Sequence, residues 1–147
     1  MSLVEQITAD MTAAMKSQDE ARTAVLRLLK TALQNERIKV GHDLSDEEAV
    51  KVVQQQAKQR RDSIEAYGKA NRPELADEEA KELEIISHYL PKQMDESELN
   101  TIIDQVVSET GASGSAQMGM VMGKVMQAVA GKADGGTVSR LVKEKLG

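Results

Sequence analysis

The sequence predicts an all-α protein, and three observations support this. Apolar residues recur at spacings of three and four in seven stretches, whereas no stretch alternates apolar and polar residues as a strand does. Most of these stretches begin at a capping residue or end at glycine or proline. Tyr67 and Tyr89 are the only aromatic residues, so the core must consist of aliphatic residues and Met, a composition that favours helices over sheets.

The first four helices are predicted before Pro91. Ser2 with Glu5 and Ser45 with Glu48 form capping boxes that begin the first and third helices. The second is predicted over residues 19–39, before Gly41, and the fourth begins with Pro73 at its first position and ends at Pro91. The predicted inward residues of the four helices are, in order, Leu3, Ile7, Met11 and Met15; Val25, Leu26, Leu28, Leu29, Ala32 and Leu33; Val50, Val53, Ala57, Ile64 and Tyr67; Ala76, Ala80, Leu83, Ile86 and Leu90.

Three shorter helices are predicted after a connector at residues 91–95. Asp95 with Glu98 caps the fifth, residues 111–115 form a loop before the sixth, and Asp134 caps the seventh. The predicted inward residues are Leu99, Ile102, Ile103, Val106 and Val107; Met118, Met122, Val125 and Val129; Val138, Leu141, Val142 and Leu146. We therefore expect a four-helix N-terminal domain, residues 1–92, and a three-helix C-terminal domain, residues 93–147.

Length and composition exclude several classes of protein. A chain of 147 residues is too short for a large multi-domain enzyme, and the absence of cysteine excludes disulfides, thiol catalysis and thiolate metal sites. No apolar run exceeds three residues, and the N-terminus lacks the pattern of a secretion signal. The sequence thus predicts a cytoplasmic protein with no membrane partner.

Residues suited to catalysis are scarce. His42 lies in a polar turn and His88 near a helix end, where a structural or solvated role is favoured, and their spacing matches no metal motif. The carboxylates of Glu47–Glu48 and 77–79 fall at helix starts, where the helix dipole stabilises negative charge. We predict no catalytic, metal or cofactor site and no bound cofactor.

Gly119 and Gly123 resemble part of a phosphate-binding loop, but they lie inside a helical pattern and no Lys-Ser or Lys-Thr pair follows them. Close packing of helices at two small positions is the favoured interpretation. Met118, Met122 and Met126 have helical spacing and are predicted to be adaptable core residues rather than a binding groove.

A basic face is predicted on the second and third helices. Its residues are Arg27, Lys30, Arg37, Lys58 and Arg61. Acidic residues are interleaved with them, so a solvated face with salt bridges along each helix is favoured over a ligand site. Arg60 and Arg61 interrupt the apolar seam of the third helix, and we expect one of them to be partly buried against an acid.

The cations near the C-terminus have fewer acidic residues among them than the basic face of the second and third helices has. Residues 73–110 contain two basic and eleven acidic residues, whereas residues 111–147 contain five basic and two acidic ones. The five are Lys124, Lys132, Arg140, Lys143 and Lys145. A concentration of cations suits phosphate contacts, and the lack of aromatic platforms favours recognition of a folded RNA by its shape. We expect these cations to project outward together.

Several strings resemble the YqeY-like family over essentially the whole chain. They are Leu26-Arg-Leu-Leu-Lys30, Lys58-Gln-Arg-Arg-Asp-Ser-Ile-Glu-Ala-Tyr67, Tyr89-Leu-Pro-Lys-Gln93, Met122-Gly-Lys-Val-Met126 and Gly131-Lys-Ala-Asp-Gly135. That family looks like the helical, tRNA-contacting tail of the GatB subunit of the tRNA-dependent amidotransferase, a module also attached to some glutaminyl-tRNA synthetases. The resemblance implies a larger and a smaller helical part.

The resemblance also implies a tRNA partner, with an aminoacyl-tRNA synthetase or an amidotransferase component as further candidates. It carries the RNA-binding role onto Gly123, Lys124, Gly131 and Lys132 and onto the helix that follows, with Arg140, Lys143 and Lys145. Carbon-nitrogen ligase activity with glutamine as amido donor describes the family's lineage rather than this chain, which matches none of the amidotransferase's catalytic portions.

Two other functions stay open at the level of sequence. An interaction adaptor would use the acidic fourth helix, through Glu74, Asp77, Glu78 and Glu82, to bind a basic protein. An amidotransferase accessory protein or enzyme would act on glutamine. The leading interpretation is a non-catalytic tRNA-binding module.

Overall fold

The computed structural model describes residues 1–147 and contains seven α-helices, one short 3₁₀ helix and no strand. This confirms the all-α prediction. The chain divides into two compact units, which we call unit 1 (Met1–Leu90) and unit 2 (Pro91–Gly147). None of the helices is long and apolar enough to cross a membrane. That the two parts are separate domains divided at residue 92 stays a prediction.

Unit 1 contains helices α1 (Leu3–Lys16), α2 (Glu20–Val40), α3 (Asp46–Lys69) and α4 (Pro73–Ser87). Both halves of the predicted capping box form at α3, where Ser45 and Glu48 exchange hydrogen bonds of 3.0 and 3.2 Å. At α1 the structure shows only the first half of the predicted capping box, in which the Ser2 hydroxyl accepts from the Glu5 N–H; the Leu3 N–H donates to Asp46 of α3. Gly41 ends α2 in the left-handed conformation, with φ of 81°.

The core of unit 1 is aliphatic apart from Tyr89. Its buried residues are Ile7, Val25, Leu26, Leu29, Leu33, Ala49, Val52, Val53, Ala57, Ile86 and Tyr89. Three predicted inward residues are wrong, because Met15 and Leu28 are 47% and 50% exposed and Ala80 is also exposed. The predicted face of α2 is wider than the part of the helix that its neighbours cover.

Tyr89 packs into the core of unit 1 just after the end of α4. This helix ends at Ser87 rather than at Pro91 as predicted, and a tight turn through His88 follows. The turn carries the Tyr89 ring into the core, where its hydroxyl donates to Asp10 of α1 at 2.7 Å. Burial and the neighbouring Asp10 carboxylate raise the pKa of Tyr89 to about 12.

Arg60 is the partly buried arginine that the interrupted seam of α3 predicted. Its side chain is 11% exposed and lies 4.0 Å from the carboxylates of Glu79 and Glu82 on α4, and it donates to Gln56 at 2.9 Å. Burial and the nearby Glu82 carboxylate raise the pKa of Glu79. This cluster therefore joins α3 to α4 with two carboxylates around one guanidinium.

Unit 2 contains α5 (Glu96–Thr110), a 3₁₀ turn (Ser115–Gln117), α6 (Met118–Val129) and α7 (Gly135–Leu146). Asp95 and Asp134 cap α5 and α7, as predicted. The buried core consists of Leu99, Ile103, Val106, Ala112, Val121, Val125, Val129, Ala133, Val138, Leu141 and Val142. Met118, Met122 and Met126 pack against it, which confirms their prediction as core residues.

Candidate nucleic-acid interface

Three of the five predicted C-terminal cations are free of partners. Lys124 lies on α6, Lys132 lies in the turn between α6 and α7, and Lys143 lies on the last turns of α7. All three side chains are exposed, and none forms an ion pair or a hydrogen bond within the chain. Each ammonium group is thus available to an external anion.

The other two cations are held by acids. Arg140 is bonded to Glu96 of α5 and, at 3.2 Å, to Glu144 of its own helix, and these carboxylates raise the pKa of its guanidinium. Lys145 lies 2.6 Å from Asp104 of α5. Arg140 and Lys145 therefore project outward, with side chains 50% and 47% exposed, but each is paired with an acid that α5 supplies from 41 to 44 residues away.

The predicted close packing at Gly119 and Gly123 is also wrong. Both glycines are exposed, and a Cβ at either position would meet no atom within 4 Å. Val121 and Val125 of α6 are buried in the core. The two glycines lie on the opposite side of the helix, next to the exposed Met120. Bare backbone therefore lies beside Lys124 on the open face of the helix.

The α6–α7 turn has a defined conformation. Ala130 and Gly131 both have positive φ, 46° and 85°, and Lys132 N–H donates to the Val129 carbonyl at 2.9 Å. The segment Pro91–Met94 lies against this turn: Met94 N–H donates to the Lys132 carbonyl at 2.7 Å. The side chain of Gln93 donates to the Gly131 carbonyl at 3.2 Å and to Pro91 at 2.7 Å.

Lys92 is not among the predicted site residues. Although Lys92 falls within the family-like string Tyr89–Gln93, it lies 32 residues before Lys124 and is surrounded by acidic sequence. In the structure its side chain is exposed and unpaired, and its neighbours Gln93 and Met94 contact the turn that carries Lys132. Only the folded chain places these two lysines on adjoining segments.

The predicted basic face of unit 1 is largely involved in contacts within the chain. Arg37 lies 2.7 Å from Asp43, Lys58 lies 2.9 Å from Asp62, and Arg61 also has an interaction partner. Arg27 is exposed and unpaired, and the half-buried Lys30 borders a cleft of about 420 Å³. Ion pairs at Arg37 and Lys58 agree with the prediction of a solvated, salt-bridged face.

Part of the predicted acidic face of α4 is also neutralised by contacts within the chain. Glu74 accepts from Arg72 at 2.9 Å and Glu82 contributes to the Arg60 cluster, so two of its four predicted carboxylates already contact cations. Asp77 and Glu78 remain exposed. A role of this face in binding a basic protein stays a prediction.

The histidines do not come together. The Nδ1 atom of His42 lies 2.9 Å from the Asp43 carbonyl and its Nε2 atom lies 3.7 Å from Glu48, whereas His88 is exposed at the end of α4. No group of three or more histidine or carboxylate side chains is placed to hold a metal ion. No buried side-chain polar atom lacks a hydrogen-bond partner.

Comparison with known proteins gives a match over nearly the whole chain. The family model described as Yqey-like protein matches residues 4–146. Altered inheritance of mitochondria protein 41, mitochondrial, from Pyrenophora tritici-repentis is 26% identical over 148 residues, which is 99% of this chain and 81% of that protein. The protein of the same name from Lachancea thermotolerans is 30% identical over 109 residues, 72% of this chain and 58% of that protein.

A third relative matches a shorter segment more closely. One of the subunits of glutamyl-tRNA(Gln) amidotransferase from Thermococcus gammatolerans is 42% identical over 57 residues, which is 36% of this chain but 9% of that protein. Part of this chain is therefore similar to a small piece of a much larger protein.

Proposed function

Because this chain belongs to the YqeY-like protein family, we propose that it is a non-catalytic module that binds structured RNA, specifically tRNA. The contacts are made by Lys124, Lys132 and Lys143 of unit 2. The observation that carries the proposal is that these exposed lysines have no partner within the chain, although α5 neutralises Arg140 and Lys145 close by in the same unit.

The free lysines suit RNA for an electrostatic reason. An ammonium group that meets a phosphate releases condensed counterions, and this release supplies most of the affinity of such contacts and little sequence discrimination. Arg140 must first leave Glu96 and Glu144 before it can meet a phosphate, so it contributes less to binding than an unpaired lysine. We therefore place Arg140 and Lys145 at the margin of the interface.

Composition favours folded RNA over a single strand. Proteins that bind unpaired bases stack them on aromatic side chains, and unit 2 contains none. The exposed glycines Gly119 and Gly123 let a phosphate backbone approach α6 more closely than a side chain would. These features support recognition of backbone shape rather than of base sequence.

One of the named relatives supports tRNA as the partner. It belongs to a glutamyl-tRNA(Gln) amidotransferase, and its similarity to a 57-residue segment of this chain is consistent with a shared accessory module. On this basis an amidotransferase component or an aminoacyl-tRNA synthetase is a candidate protein partner, and carbon-nitrogen ligase describes the lineage. Cytoplasmic localisation stays a prediction, since two relatives are named as mitochondrial proteins.

The test is a titration of a folded tRNA transcript with the full chain, followed by fluorescence anisotropy at several salt concentrations. Changing Lys124, Lys132 and Lys143 together to Gln should weaken binding at least roughly tenfold and reduce the log-log salt slope by about two to three. A matched control changes Lys16, Lys51 and Lys81 of unit 1 to Gln, because these lysines are exposed and the net charge falls equally.

The control variant should retain nearly all of the affinity and the salt slope. Equal losses in the two variants would show that net charge alone drives binding, and no binding by the unaltered chain would refute the RNA partner. Release of ammonia from glutamine by the purified chain would contradict the non-catalytic assignment.

A further inference from the structure

Two segments far apart in the sequence form one backbone unit in unit 2. Hydrogen bonds join the segment Pro91–Met94 to the turn Ala130–Lys132 at two points, and the bonded residues lie 38 positions apart along the chain. Met94 N–H donates to the Lys132 carbonyl at 2.7 Å, and the Gln93 amide donates to the Gly131 carbonyl at 3.2 Å. The position of the first segment is therefore fixed by the turn.

These bonds place Lys92 close to Lys132. Two extended residues span at most about 7 Å, so the Lys92 backbone lies within that distance of Met94, whose N–H is bound to Lys132. Both lysine side chains are exposed, and neither has a partner within the chain. The flexible stems of two lysines at this separation can bring both ammonium groups to one phosphate or to two neighbouring phosphates.

The acids closest along the chain are already occupied. Asp95 accepts from the Glu98 N–H at 2.8 Å as the cap of α5. Asp134 accepts from the N–H groups of Gly136 and Thr137, at 3.3 Å each, as the cap of α7. Glu96 is bonded to Arg140. Lys92 and Lys132 form no salt bridge, and their side chains are exposed, so both cations remain available.

We propose that Lys92 and Lys132 form a two-lysine clamp for the phosphodiester backbone of the bound RNA, and that Gln93 is its positioning residue. This inference rests on the proposed function and extends the site to a segment outside α6 and α7. Gln93 acts through geometry: its two amide protons are donated to Pro91 and to Gly131, so the side chain ties the Lys92 segment to the turn.

A double-mutant cycle with a folded tRNA transcript tests the clamp in the full chain. Lys92→Gln and Lys132→Gln should each weaken binding by roughly three- to tenfold and each lower the salt slope by about one. Because the two lysines serve the same phosphate group or adjacent ones, the double variant should lose less than the product of the single losses. Both side chains are exposed, so neither change endangers the fold.

The positioning role has a separate readout. Gln93→Met keeps length and net charge but removes both amide donors. In that background Lys92→Gln should have little further effect on the affinity or the salt slope, whereas Lys132→Gln should keep most of its effect. Lys81→Gln is the control, since this exposed lysine of unit 1 lies outside the proposed interface, and it should leave the affinity and the salt slope nearly unchanged.

The outcomes distinguish failure of the two-lysine clamp from failure of the proposed RNA-binding function. If tRNA binds and Lys132→Gln weakens binding while Lys92→Gln does not, the clamp is refuted and the RNA-binding function stands. Strictly multiplicative losses of Lys92 and Lys132 would refute a shared phosphate site, and an unchanged Lys92 effect in Gln93→Met would refute the positioning role. If the unaltered chain does not bind tRNA, both proposals fail.

Discussion

Gly123 shows how one residue relates stability to function. A helix with glycine at an interior position is less stable than one with alanine by about 1 kcal/mol. A Cβ added at Gly123 would meet no atom within 4 Å. Gly123→Ala should therefore raise the free energy of unfolding by roughly 0.5–1 kcal/mol, measured by urea denaturation. The same change should weaken tRNA binding if the RNA backbone approaches α6 at this position.

Gly41 provides the contrast for this measurement. Its φ of 81° is a conformation that alanine rarely adopts, so Gly41→Ala should lower stability by about 1 kcal/mol although its Cβ would also meet no neighbour. A loss of stability in Gly123→Ala would mean that something covers α6 in solution.

Tyr89 tests the packing of unit 1 at the residue scale. Tyr89→Phe keeps the ring in the core and removes the hydroxyl that donates to Asp10 at 2.7 Å. The expected loss is about 1 kcal/mol in the free energy of unfolding, because the hydrogen bond is charge-assisted but only partly buried. Unchanged urea denaturation would show that Asp10 is equally well solvated without the tyrosine.

Local residue patterns were predictable, and distant partners were not. The reciprocal hydrogen bonds of Ser45 and Glu48 can be predicted, because the two residues lie three positions apart and helix geometry fixes their distance. Arg140 and Glu96 lie 44 residues apart, and no local rule indicates that they meet. The sequence therefore indicated the turn that carries Lys132, but neither the neutralisation of Arg140 and Lys145 nor the position of Lys92 beside that turn.

At the scale of elements, the cluster of Arg60 on α3 with Glu79 and Glu82 on α4 should make the stability of unit 1 depend on pH. Burial and Glu82 raise the pKa of Glu79 in the folded chain, so the folded state holds this proton more tightly than the unfolded state does. The stability due to the protonated form is present below the ordinary carboxyl pKa and is lost as pH rises through the raised value. Ionised Glu79 is therefore unfavourable near neutral pH.

Glu79→Gln should accordingly stabilise unit 1 near neutral pH and have little effect in acid. The measurement compares urea denaturation midpoints of the variant and the unaltered chain at about pH 4 and about pH 7, with the larger gain expected at the higher value. The opposite trend would indicate that attraction to Arg60 outweighs burial and repulsion from Glu82.

Helix existence was easier to predict than the buried surface of each helix. Seven helices follow from periodicity and caps, but α2 carries apolar residues around so much of its circumference that the pattern alone cannot select the covered side. Leu28 and Met15 are exposed because the neighbouring helices cover only part of each face. The end of α4 was also not predictable from local pattern, since the turn after Ser87 brings the Tyr89 hydroxyl to Asp10, which lies 79 residues away.

At the scale of the whole molecule, charge is distributed unevenly within unit 2. Acids are concentrated on α5, and two of them bind cations of α7, whereas Lys124, Lys132 and Lys143 are left unpaired. The sequence showed the change from acidic to basic segments, but the partition between paired and free cations depends on how α5 lies against α7. That partition supports an RNA surface with three principal lysines rather than five.

The most direct measurement of this account is crosslinking of the full chain to a folded tRNA, followed by mass spectrometry of the attached peptides. Crosslinks are expected on the peptides that carry Lys124, Lys132 and Lys143, and also on the peptide that carries Lys92 if the two-lysine clamp exists. Crosslinks confined to the Arg27–Arg37 face of unit 1, with none in unit 2, would contradict this account.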